Sequence, residues 1–436
     1  MSETFALRRS RVLAALGEPA GALVVAAAPA LRTRGGADVR YAPDADVYYL
    51  TGLVEPDAVL VLCPSAEQPF TLFVLPRDPE QERWTGPRPD AERAREQCGA
   101  DAVHSVVELA ERLPKLVAGA DVLFASPVSD RAEVDAAVQA ALATARRERP
   151  RKGRGPHTVT DLRVLLAPMR MRKDAGEVER LRDAARITVR AFAGMAARLT
   201  QAAGEWEVEA TLDHGFRSAG ADGPAFPTIA AAGGNATVLH YTRNDAPIRP
   251  GQLVLVDGGA RHRMYCGDVS RTFPAGGTFT AAQRDAYDVV QRARDAAMAA
   301  VAPGAAADVL HHDAVKILVG GMKDLGLLDG SVDGIIEKRE YRKYFPHQTS
   351  HWLGLDVHDP GDYVASDGSP VALEPGMVLT VEPGLYIPAD DEAAPAELRG
   401  TGIRIEDDVL VTGDGHEVLT ALLPAAAADI ESLLAG

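Results

Sequence analysis

The sequence predicts two domains of different class: an α/β unit over residues 1–168, then an α+β unit over residues 169–436 built from two related halves. Three observations carry that expectation. The chain has 436 residues, well beyond the roughly 150 of a single domain. Its first part mixes short apolar runs with helix-like stretches, the alternation of an α/β layer. Its later part contains one strand-and-turn pattern twice, each copy ending on a carboxylate.

In chain order, Phe5–Leu16 and Arg131–Ala145 have helical spacing, while Ala22–Ala28, Ala58–Cys63, Thr71–Leu75 and Asp121–Ala125 are runs of strand length. The basic stretch Arg146–Pro156 reads as a solvated helix end leading towards a linker. Asp174–Leu199 and Trp206–Arg217, again at helical spacing, open the second domain. Thr280 to Gln283 has the form of a capping box before a helical run to Val301, which Pro303-Gly304 stops. A further helix is expected to about Leu325. Leu253–Val256, Met264–Thr272, Val378–Val381 and Ile403–Val411 read as strands.

Composition narrows the partners. Forty-six Lys and Arg against 62 Asp and Glu leave a net charge of −16, a field that repels nucleic acid and anionic lipid. The three cysteines, Cys63, Cys98 and Cys266, form no CxxC pair, so neither a disulfide framework nor a thiolate zinc site is expected. A charged segment leading into an apolar stretch and a cleavage site is missing at the N-terminus, and apolar runs such as Gly21–Leu31 are too short to span a bilayer. These features describe a cytoplasmic chain without nucleic-acid or membrane partners.

The repeated pattern carries the chemistry. Pro250-Gly-Gln-Leu-Val-Leu-Val-Asp257-Gly-Gly259 and Pro375-Gly-Met-Val-Leu-Thr-Val-Glu382-Pro-Gly384 both run from Pro-Gly through an apolar strand to a carboxylate and a glycine turn. Each is followed by a second strand with another acid, Asp268 and Glu406 respectively. Halves facing one another across a pseudo-two-fold axis would bring these four carboxylates together. Buried carboxylates at one locus repel each other unless cations neutralise them. Two divalent ions would balance four carboxylates and hold a water-derived hydroxide between them. A carboxylate-rich shell with one imidazole suits manganese or cobalt, with zinc as a further alternative. No EF-hand spacing points to calcium.

The imidazole is expected from His347-Gln-Thr-Ser-His351-Trp-Leu-Gly-Leu-Asp-Val-His358, which holds three of the chain's 11 histidines. His240, upstream of the first carboxylate strand, is a fourth candidate. His311 and His312, in a helical run without acids at ligand spacing, read as structural or solvated.

These blocks, in this order, resemble the aminopeptidase P (Xaa-Pro aminopeptidase) family. The resemblance lies in Leu239-His-Tyr-Thr242, the segments around Asp257 and Asp268, Ser350 to Asp359, Glu374 to Ile387, and Arg399 to Asp408. The stretch from Tyr41 to Leu62 resembles the same family's opening domain, which methionine aminopeptidases lack. The resemblance implies a creatinase-like N-terminal α/β domain and a pita-bread catalytic domain. It implies that Asp257, Asp268, His351, Glu382 and Glu406 hold two metal ions, with Glu382 also the general acid/base. It further implies that His240 and His358 line the substrate site with His347 assisting, that Arg404 holds Asp257, and that Tyr386 is a polar contact.

The implied reaction releases the N-terminal residue from peptides with proline in second position. A homo-oligomer is implied too, with Trp84 reaching a neighbouring subunit. The chain departs from the family pattern at His347-Gln-Thr-Ser-His351 and at Cys266, which would make the site sensitive to oxidation. The rivals are a prolidase acting on Xaa-Pro dipeptides and a metal-free binding protein or amidinohydrolase of the same fold. Retention of all five ligand positions argues against the metal-free pair.

Overall fold

A computed structural model describes residues 2–18, 20–31, 33–127 and 131–435. The chain divides into two compact units, Met1–Met169 and Arg170–Gly436. Among the described residues no helix is long and apolar enough to cross a membrane.

The first unit is a six-stranded mixed sheet. Its strands are β1 (Gly21–Ala26), β2 (Val59–Leu62), β3 (Phe70–Val74), β4 (Ala102–Ser105), β5 (Val122–Ala125) and β6 (Thr158–Asp161), in the order β4-β3-β2-β1-β5-β6. β1, β2 and β3 are antiparallel neighbours, and β4, β5 and β6 join in parallel. The apolar runs Leu-Val-Val and Val-Leu-Val-Leu are buried on both faces, which is why they are continuous rather than alternating. Alternate residues Ala22, Val24, Val59, Val61 and Cys63 pack with Leu109, Leu113, Ala137, Val138 and Ala141 of two helices. The second of these helices, Ala132–Lys152, runs through Pro150 and ends on Gly153 in the left-handed region (φ 71°). The segment beyond Gly153 is not a linker: His157 N donates to Asp121 O, and β6 pairs with β5.

The second unit repeats one arrangement. The helices Ala175–Leu199 and Glu205–Ser218 precede the first half, and Ala281–Ala299 and Val309–Asp324 precede the second. Capping boxes open two of them, Asp174 with Glu177 and Thr280 with Gln283. The helix Ala175–Leu199 buries Val178, Leu181, Ala185, Phe192, Met195 and Leu199, a stripe at helical spacing.

The first half has β7 (Gly223–Pro224), β8 (Ile229–Ala232), β9 (Leu253–Gly258), β10 (Ala260–His262), β11 (Tyr265–Cys266) and β12 (Val269–Pro274); the second has β13 (Val378–Val381), β14 (Gly384–Ile387), β15 (Thr401–Arg404), β16 (Asp407–Val411) and β17 (His416–Val418). β9 pairs with β12 and β10 with β11; in the same nested manner β13 pairs with β16 and β14 with β15, all antiparallel. Thus Met264–Thr272 and Ile403–Val411, each expected as one strand, are pairs of strands broken at Gly267-Asp268 and at Ile405-Glu406. At the first break a Cβ on Gly259 would lie 1.6 Å from Gly267 O, so the turn admits no side chain. The halves meet where Glu406 N donates to Ser270 O at 3.0 Å.

Candidate metal centre

Each half contributes one acid at a strand end and one at a strand break. Asp257 lies within β9, and Glu382 directly follows β13. Asp268 and Glu406 occupy the two interruptions, where the backbone is free of ladder pairing and can turn the side chain inward. Asp257, Asp268 and Glu406 are buried in the sheet, and all four acids line one cavity of about 880 Å³. His240, His347, His351, His358 and Arg404 line it as well.

Ligand-capable atoms of Asp268, His351 and Glu406 all lie within 4.8 Å of one another. His351 Nε2 is 3.4 Å from Asp268 Oδ2 and 3.6 Å from Glu382 Oε1. Its Nδ1 stands 3.1 Å from Trp352 O, and its backbone N–H donates to Thr380 Oγ1. That contact fixes the ring so that Nε2 faces the acids. Glu382 and Asp257 fall outside the tight trio: Glu382 reaches His351, and Asp257 Oδ2 accepts from Arg404 Nη2 at 2.6 Å.

The same guanidinium donates from Nε to Ser270 Oγ at 2.7 Å and from Nη1 to Tyr386 OH at 3.0 Å. Ser270 Oγ in turn donates to Glu406 Oε2 at 2.8 Å. Register explains the arrangement, because Ser270 stands opposite Asp257 in the β9–β12 ladder and Arg404 ends β15.

Without a cation this cluster is electrostatically frustrated. Burial and mutual repulsion push Glu406 well above the usual carboxylate range, Asp268 up to about 6 and Glu382 up to about 7. Burial opposes the charge of His351, but its hydrogen bond to Asp268 and the charge of Glu382 outweigh that and raise it to about 9. Burial, with Arg404 nearby, lowers His347 to about 3, and burial also lowers His358, so both imidazoles are neutral. Asp257 Oδ1 and Asp268 Oδ1 are buried without a hydrogen-bond partner. Orphaned carboxylate oxygens beside an imidazole are a hard donor set, so these residues fit divalent metal ions.

The remaining histidines border the cluster, His347 Nδ1 lying 3.7 Å from Glu382 Oε2. His347 Nε2 is 2.8 Å from Tyr386 OH and its Nδ1 is 2.7 Å from Gln348 O. His358 packs edge-on against His351, with ring centroids 4.4 Å apart. The loop bearing His240 is organised by buried Glu205, which accepts from Ala232 N, Asn235 Nδ2, Tyr241 OH and Ala246 N.

Several residues escaped sequence reasoning. Asp408 is buried, accepts from Asp268 N at 3.1 Å, and is itself pushed well up by burial and by Asp268; its only signal was the run Glu406-Asp407-Asp408. His311 lines the cavity and contacts Thr349 Oγ1 at 2.9 Å, whereas His312 is exposed. The expectation of oxidation sensitivity at Cys266 is corrected: it is fully buried, and burial pushes its thiol up to about 12, leaving it protonated and shielded.

Comparison with known proteins adds independent findings. Residues 179–413 match the model of metallopeptidase family M24, and residues 5–124 match the N-terminal domain of aminopeptidase P. The Xaa-Pro aminopeptidase of Escherichia coli K12 is 38% identical, over 98% of this chain and 96% of its own. The solved aminopeptidase PepP of Pseudomonas aeruginosa superposes with a TM-score of 0.93 at 38% identity, covering 100% of this chain and 98% of that one. Zinc-substituted E. coli aminopeptidase P in complex with product matches at the same identity, coverage and TM-score.

Proposed function

From the premise that this chain belongs to metallopeptidase family M24, we propose that it is a Xaa-Pro aminopeptidase, releasing the N-terminal residue from peptides whose second residue is proline. The observation that carries the reading is the convergence of three buried carboxylates, a fourth half-buried one and one oriented imidazole, with two orphaned oxygens, at one cavity. The relatives over nearly the full length bear that name.

Asp257, Asp268, His351, Glu382 and Glu406 would hold two divalent ions, manganese by the hardness of the set, with cobalt or zinc as alternatives. Bound cations supply Lewis acidity there and a nucleophile from water near neutral pH. The chain's own residues do the rest. Glu382, with 17% of its side chain exposed against 11% for Asp257 and 5% for Asp268, is the most open of these acids lining the cavity. It takes a proton and returns it to the leaving proline nitrogen, which departs poorly as an anion. His240 and His358, on the wall, hydrogen-bond the substrate carbonyl as charge develops. Arg404 keeps Asp257 and, through Ser270, Glu406 in place.

The acidic cluster attracts the free amine of a peptide, which favours cleavage at the N-terminal end. Proline brings a fixed φ and a nitrogen without hydrogen, so a pocket shaped for its ring selects it. Peptides are thus the partners, the cytoplasm the setting, and a homo-oligomer the assembly. The test is hydrolysis by metal-loaded protein of Xaa-Pro-Xaa against Xaa-Pro. Preferred turnover of the tripeptide is expected; turnover of the dipeptide alone would make the chain a prolidase.

A further inference from the structure

His311 is left over by the carboxylate centre. It sits in the first turn of the helix Val309–Asp324, and both it and the N-cap residue Asp308 line the cavity. Its ring lies 5.7 Å from Phe345 and 6.4 Å from Tyr341, and Phe345 packs on His347 at 4.7 Å. Phe345 thus neighbours the rings of both His311 and His347, which line the cavity wall.

Thr349 is fully buried, and its hydroxyl lies 2.9 Å from His311 Nδ1, its hydrogen-bond partner among the described residues. A buried hydroxyl that found no acceptor would forfeit its hydrogen bond, so Thr349 donates and the imidazole carries its proton on Nε2. Among the described residues Nε2 has no hydrogen-bond partner in the protein and is not a buried orphan, which leaves its N–H open to the cavity. Burial lowers this histidine to about 4, so the donor is neutral at working pH. Asp308 makes no side-chain cap bond to the helix and lies 3.9 Å from His312 Nδ1.

We propose that His311 and Asp308 form a recognition wall for the peptide unit that follows proline: His311 Nε2–H donates to its carbonyl oxygen, and Asp308 accepts from its N–H. The inference rests on the aminopeptidase reading, in which the amine is held at the acidic cluster and this wall meets the later part of the chain. A dipeptide would place its terminal carboxylate against Asp308, which repels it. The pair thereby selects peptides longer than two residues.

The test uses the metal-loaded enzyme with an Xaa-Pro dipeptide and an Xaa-Pro-Xaa-Xaa tetrapeptide. In His311→Asn the amide can still accept from Thr349, but nothing replaces Nε2. This variant is expected to lower the tetrapeptide-to-dipeptide ratio of kcat/KM about fivefold to tenfold, through KM, as for one lost hydrogen bond. His311→Gln, which places a donor near Nε2, should recover most of the ratio. Asp308→Asn should lower the ratio by admitting the dipeptide.

An unchanged ratio in His311→Asn, or a fall in kcat that is equal on both peptides, overturns the wall. A wild-type enzyme that cleaves neither peptide overturns the aminopeptidase reading instead. Calorimetric titration with a Pro-Xaa-Xaa tripeptide then still decides the contact: affinity weakened about fivefold by His311→Asn supports it, and unchanged affinity overturns it.

Discussion

Arg404 Nη2 donates to Asp257 Oδ2 at 2.6 Å, joining the last residue of β15 in the second half to an acid on β9 in the first. The guanidinium is buried and raised well above its usual range, despite desolvation, by Tyr386 and the surrounding carboxylates. Through Ser270 it also orders Glu406. One cation thus fixes an acid from each half.

Arg404→Lys keeps the charge and loses the fork, since a single ammonium cannot serve Asp257, Ser270 and Tyr386 in their observed directions. The expected result is a kcat/KM lower by roughly 10²-fold, the cost of misplaced catalytic groups, with protein still folded. Steady-state kinetics checks it. Wild-type kcat/KM in the lysine variant would show that charge alone suffices.

Exhaustive chelation should abolish peptide hydrolysis, and Mn(II) or Co(II) should restore it, because metal release leaves four acids crowded without neutralisation. Metal that binds the folded state alone also stabilises it, so the chelated protein should melt at a lower temperature. Metal analysis beside activity and melting measures both. Full activity in metal-free protein would remove the mechanism.

The histidines and Asp268 should separate by role. Asp268→Asn and His351→Ala are expected to reduce metal occupancy. His358→Ala and His240→Ala should retain metal while losing roughly 10²–10⁴ in kcat, as for a missing charge or proton partner. Metal retained in His351→Ala and lost in His358→Ala would reverse the assignment.

Asp257 and Glu382 were legible because an apolar strand ending on a carboxylate is a local pattern that occurs twice, and Asp268 and Glu406 because each copy is followed by another acidic strand-like segment. The breaks that carry Asp268 and Glu406 were not, since a two-residue interruption between short strands leaves the apolar run intact to the eye. Asp408, Ser270 and Thr349 serve residues distant in the chain, such as Asp268 N for Asp408, and no local spacing encodes such contacts. His311 was passed over because helix periodicity explains a histidine without revealing which cavity the helix borders. β6, Thr-Val-Thr-Asp, pairs only at a sheet edge, so it lacks the apolar run that marks β1 and β2.

Trp84 is 86% exposed on the short helix Pro79–Thr85, none of whose residues is buried. An aromatic so placed has its contact area unspent. Trp84→Ala should weaken self-association in sedimentation analysis and lower activity on longer peptides, leaving metal content alone. A fully active wild-type monomer would withdraw the role.

Asp359, one residue past His358, is buried between two cations: Oδ1 accepts from Arg170 Nη2 at 2.6 Å and Oδ2 from Lys173 Nζ at 3.1 Å. Burial alone would raise its carboxyl, but Lys173 and Arg170 together hold it below the usual range. That direction sets the sign of the pH dependence. A carboxyl whose folded value is lowered adds stability above its unfolded value of about 4 and loses it as pH falls through the folded value. Asp359→Asn removes the charge and leaves the Lys173 ammonium buried without its carboxylate. It should cost about 3 kcal/mol at pH 7. The gap between wild type and variant should start to close as pH falls below about 4, where the unfolded carboxyl takes up its proton, and go on closing until the folded carboxyl, held lower, does so too. Denaturant unfolding of both proteins at several pH values measures the gap; one that stays constant into acid would show that Asp359 acts through packing and not through its charge.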